Sequence, residues 1–63
     1  MNHNIKLKVT KDYPSVDGML YKNDIVYIQE QYKSYIKTES KIRVKDAMGK
    51  IYFVETKYLT FVN

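Results

Sequence analysis

The sequence predicts an all-β domain, a small barrel of five to six short strands with one 3₁₀ turn near residues 55–58. Apolar residues recur at every second position in separate stretches, the period of a strand with one buried face. β-Branched and aromatic types dominate those stretches, as strands prefer. The chain has 63 residues and no Cys, so neither a disulfide framework nor a thiolate zinc site supports it. A chain this short buries only roughly 60% of its unfolded surface, and a barrel leaves few open edges. A two-lobed enzyme, a dinucleotide-binding domain and a helical repeat array do not fit within this length. With 44% hydrophobic and 29% charged residues the chain has enough apolar material for a core, which argues against intrinsic disorder. One domain over residues 1–63 is expected, with residues 1–4 frayed.

Ile5, Leu7 and Val9 alternate with Asn4, Lys6, Lys8 and Thr10, which predicts the first strand. Pro14 has no N–H for a ladder and holds Tyr13 extended, while Asp17-Gly18 supplies turn chemistry, so residues 11–24 read as one long loop. Lys22-Asn23-Asp24 is a polar turn that introduces Ile25-Val26-Tyr27-Ile28, the second strand. Residues 25–38 read as strand, turn, strand. The helical spacing of Ile25, Ile28, Tyr32, Tyr35 and Ile36 makes a short helix within 29–36 the alternative. Lys41-Ile42-Arg43-Val44-Lys45 alternates again, and Gly49 suits the left-handed position of a hairpin leading into Ile51-Tyr52-Phe53-Val54. A polar turn at Glu55-Thr56-Lys57 and a last strand over Tyr58 to Val62 close the chain. Phe53 and Phe61, with Tyr52 or Tyr27, are expected in the core.

This order of elements resembles a bacterial Src-homology-3-like barrel. The resemblance is carried by Val9-Thr10-Lys11-Asp12-Tyr13, by Tyr21-Lys22-Asn23-Asp24-Ile25-Val26-Tyr27-Ile28 and by Gly49-Lys50-Ile51-Tyr52-Phe53-Val54-Glu55-Thr56-Lys57-Tyr58-Leu59. Asn23 replaces the family's Gly and tolerates positive φ. The resemblance spans about residues 5–62 and implies a groove in which Tyr13 and Tyr58 occupy aromatic positions. The family's groove Trp is missing, with Tyr35 or Ile42 at its place, and Val54 stands where the groove Pro would be. Both departures argue against the usual capture of proline-rich peptides.

Eleven Lys and Arg against seven Asp and Glu give a net charge of +4, which permits nucleic acid without requiring it. No apolar run is long enough to span a membrane, and Met1-Asn2-His3-Asn4 does not open a signal core. A cytoplasmic location is expected. His3 is the one imidazole and reads as a solvated tail residue, so no metal or other cofactor is expected. The acids at 12, 17, 24, 30, 39, 46 and 55 are scattered through turns, both glycines are isolated, and no nucleophile has a base at readable spacing, so the chain does not read as an enzyme.

Seven Tyr and two Phe are more rings than so small a core holds, so Tyr13, Tyr32, Tyr35 and Tyr58 are expected at least half-exposed. With Asp17, whose loop offers an acid to a basic ligand, they form the candidate protein-binding set. The leading expectation is therefore a non-enzymatic module binding a protein partner. The Lys, Asn and Ile bias that AT-rich coding produces suits a phage-type modulator or inhibitor of a host protein. The alternative is a nucleic-acid-binding barrel using Lys41, Arg43 and Lys45, which share one strand face over ~13 Å. Lys6, Lys8 and Lys11 form a second basic group. The chain is expected as a monomer or as an edge-paired homo-oligomer.

Overall fold

The period-two stretches become strands in the computed structural model, which describes residues 4–62. In chain order the strands are β1 (Asn4–Val9), β2 (Tyr13–Ser15), β3 (Gly18–Leu20), β4 (Ile25–Gln29), β5 (Lys41–Lys45), β6 (Ile51–Glu55) and β7 (Leu59–Phe61). Five of them form one sheet in the order β6-β5-β4-β1-β7, and β2 and β3 form a separate hairpin. The fold is all-β, as expected. No ladder joins β6 to β7, so the barrel is not closed.

Alternation fixes which side chains point inward. Leu7, Val9, Val26, Ile28, Ile42, Val44, Tyr52, Val54 and Leu59 from the sheet, with Leu20 from the hairpin, form the buried core. Ile5, Tyr13, Ile36 and Phe61 pack against it half-buried. Tyr52 is inside, but Phe53 is not. The register Ile42↔Val54, Arg43↔Phe53, Val44↔Tyr52 gives Phe53 the outward parity of Arg43, and its ring is 44% exposed.

Three further expectations need correction. Residues 11–24 are not one loop: Ser15 Oγ donates to the Gly18 carbonyl at 2.6 Å and accepts the Asp17 N–H at 3.2 Å, folding Val16-Asp17 into the turn of the β2–β3 hairpin. Pro14 is tolerated because β2 pairs only with β3, leaving its other edge free of the ladder. Residues 30–38 are not a second strand. The chain forms a 3₁₀ turn at Glu30–Tyr32 and a single helical turn, α1 (Tyr35–Thr38), with half-buried Ile36 as its contact with the core. Asn4 is not frayed, since it opens β1 opposite Gln29, while the reading of His3 lies outside the described residues.

The remaining local expectations hold. Asn23 has φ +77 and Gly49 φ +86, the left-handed positions assigned to them. Asp46 organises the β5–β6 hairpin, its Oδ1 accepting the N–H groups of Met48 and Lys50, both at 2.9 Å. A 3₁₀ turn occupies Thr56–Tyr58. No helix among the described residues is long and apolar enough to cross a membrane.

Candidate functional site

The outer face of the five-stranded sheet gathers the cations. In an antiparallel ladder, directly opposed residues project to the same side. Lys6 of β1 opposes Tyr27 of β4, Tyr27 opposes Lys45 of β5, and Lys45 opposes Ile51 of β6. One row therefore crosses four strands as Lys6, Tyr27, Lys45, Ile51, linking two basic groups that are far apart in sequence. Lys8 lies two residues along β1 on the same face. Arg43 and Lys41 follow at two-residue steps on β5, opposite Phe53 and Glu55. With strands roughly 4.8 Å apart, Lys6 and Lys45 are ~10 Å apart at the backbone.

These cations are not consumed by the fold. Among the described residues the ion pair present is Lys57 Nζ to Glu55 Oε1 at 3.7 Å, and the β5 cations take no part in it. Two of them lie over an aromatic ring instead, Lys41 Nζ at 5.6 Å and the Arg43 guanidinium carbon at 5.8 Å from the Phe53 centroid. Phe53 was missed by sequence reasoning because Ile51-Tyr52-Phe53-Val54 is apolar throughout, so its parity is set only by pairing with β5.

Beside this face runs an open groove of about 550 Å³. Tyr27, Tyr32, Arg43, Lys45 and Ile51 line it, with Asn4 and Gln29 at its polar end. β4 supplies Tyr27, and the 3₁₀ turn immediately after β4 brings Tyr32 to the same groove. Tyr27 was also missed as a site residue; the alternation of Val26 and Ile28 around it was the available signal.

The proposed protein-binding set separates into pairs. Tyr13 and Tyr58 meet at 5.4 Å between centroids, tilted 45°, and Tyr32 and Tyr35 meet at 5.5 Å, tilted 44°. Lys11 and Lys57 place their ammonium groups 5.0 and 5.2 Å from the Tyr58 centroid. Asp17 has a structural partner, its Oδ2 accepting the Phe53 N–H at 3.1 Å on the free edge of β6. Asp12 likewise accepts the Lys22 N–H at 2.8 Å. Val54 and Ile42, at the groove positions that the Src-homology-3 resemblance implied, are core residues.

Among the described residues no group of three or more His, Asp or Glu side chains is placed to hold a metal ion. No family model matches the chain, and no curated protein or solved structure matches it significantly.

Proposed function

We propose that this chain is a non-enzymatic binding module of Src-homology-3-like organisation that engages nucleic acid through the outer face of its five-stranded sheet. The observation that carries the reading is the row Lys6, Tyr27, Lys45, Ile51, flanked by Arg43 over Phe53. It puts five cations, Lys6, Lys8, Lys41, Arg43 and Lys45, on one face with aromatic rings between them. Glu55 is the carboxylate in those strands, and Lys57 already pairs with it. Phosphates spaced along a strand match such a face, and rings between the cations present flat surfaces to bases.

A protein partner is the weaker reading of the same geometry. It needed Tyr13, Tyr32, Tyr35, Tyr58 and Asp17 to act as one surface, and Asp17 is tied to the β6 backbone while the rings form two pairs. The Src-homology-3-like organisation is supported by the element order and by the meeting of Tyr13 with Tyr58.

Fluorescence anisotropy with a labelled oligonucleotide tests the proposal. Affinity is expected to fall steeply between about 50 and 200 mM salt, with a log–log slope of roughly −0.7 to −0.9 per phosphate contacted. The exposed triple substitution Lys41→Glu, Arg43→Glu, Lys45→Glu is expected to abolish binding, and Tyr58→Ala to leave it unchanged. Binding that survives the charge reversal refutes the assignment.

A further inference from the structure

The basic face by itself would serve duplex and single strand alike, but the groove beside it is unsuited to a duplex. Its volume of about 550 Å³ lies in the range of small-molecule sites and is comparable to one or two nucleotides. A base paired in a duplex exposes its edges and hides its faces within the stack, whereas an unpaired base offers a face to an aromatic side chain. The groove supplies the corresponding groups. Tyr27 and Tyr32 are two rings from adjacent stretches of chain, with Tyr32 42% exposed and its outer neighbour Tyr35 45% exposed. Ile51 adds an apolar wall. Arg43 and Lys45 line the same groove and belong to the basic stripe, so a phosphate held by them has its sugar and base beside the rings. Asn4 and Gln29 oppose one another in the β1–β4 ladder and bring amide donors and acceptors to the groove lining.

From this arrangement we infer that the groove is a base-stacking site for an unpaired nucleotide, and that the ligand class is single-stranded nucleic acid. The inference rests on the proposed role of the basic face and assigns a separate set of side chains to a separate part of the ligand. Cations of β5 hold the backbone, and Tyr27 and Tyr32 take a base. The 3₁₀ turn at Glu30–Tyr32 then has a purpose beyond joining β4 to β5, because it carries Tyr32 to the groove.

The test compares four probes of equal length in anisotropy titrations at fixed salt: a labelled single-stranded oligonucleotide, the matching duplex, an abasic sugar-phosphate strand, and poly-glutamate. The single strand is expected to bind ~10-fold or more tightly than the abasic strand, the size of one good stacking contact. Tyr32→Ala is expected to lower single-strand affinity by about the same factor without changing abasic-strand affinity, and Tyr32→Phe to retain it. Tyr32 is exposed, so the substitution leaves the core intact; unchanged circular dichroism checks this. An abasic strand or duplex that binds as well as the single strand overturns the groove assignment while leaving the basic face standing. Poly-glutamate binding equal to that of the single strand, with no effect of Tyr32→Ala, assigns the face to an acidic polypeptide and overturns both readings. No binding to any nucleic-acid probe also overturns both.

Discussion

Phe53 and Val54 are neighbours in sequence with opposite roles, and the difference is one of parity. Val54 is fully buried, so Val54→Ala removes two methyl groups from a closed core. The expected loss of stability in urea denaturation is about 2 kcal/mol, from ~0.8 kcal/mol per buried carbon plus a small cavity contribution. Phe53 is 44% exposed and lies under Lys41 and Arg43, so Phe53→Ser is expected to cost less than ~1 kcal/mol of stability. It should weaken oligonucleotide binding, since a ring between the two cations is lost. A larger stability loss for Phe53→Ser than for Val54→Ala would mean that the β5–β6 register is shifted by one residue. The same parity was hidden in the sequence. Ile51-Tyr52-Phe53-Val54 is apolar at every position, and ring size suggested an interior place for Phe53. Arg43 opposite Phe53 resolves it, because a guanidinium on that face points the whole row to solvent.

At the scale of elements, the β2–β3 hairpin protects the sheet edge. The edge of β6 would offer unpaired N–H and C=O groups to another chain, and Asp17 at the hairpin turn takes up the Phe53 N–H. Gly18 permits this close approach, since a Cβ there would stand 3.1 Å from Lys50 Nζ and 3.6 Å from the Tyr52 ring, with φ at +138. Asp17→Ala is therefore expected to raise the hydrogen-exchange rate of the Phe53 amide and to make light scattering concentration-dependent. If the Phe53 amide keeps its full protection, Asp17 is not what shields that edge. Strands with a polar face were legible from alternation alone, as were Asn23 and Gly49 at their positive-φ turns. The two irregular segments were not. β2 and β3 are three residues each, too short for a period to register, and Pro14 argued for a loop. Residues 30–38 carry β-branched and aromatic residues that favour strands, yet only Ile36 finds the core, so one helical turn satisfies the chain where a strand would have had no partner.

Across the whole molecule, the cations that qualify the outer face for a polyanion also work against folding. A net charge of +4 with Lys6, Lys8, Lys41, Arg43 and Lys45 on one face repels itself, and no disulfide offsets the repulsion. The legible part of the site was the β5 stripe, because alternation puts Lys41, Arg43 and Lys45 together without any knowledge of topology. Its union with Lys6 and Lys8 through Tyr27 was illegible, because it depends on β4 lying between β1 and β5. This arrangement predicts opposite salt responses for stability and binding. Raising ionic strength from about 0.01 to 0.15 M shortens the screening length from ~30 to ~8 Å, below the ~10 Å separating Lys6 from Lys45. Repulsion across the face is then damped. If this relieves roughly 0.5 kcal/mol, the melting temperature should rise by about 2–4 °C for a domain of this size. Oligonucleotide affinity over the same range should fall, since counterion release drives it. Melting curves and anisotropy titrations on the same samples check both signs. A melting temperature that falls with salt would show that these cations are paired within the fold and are not available to phosphates.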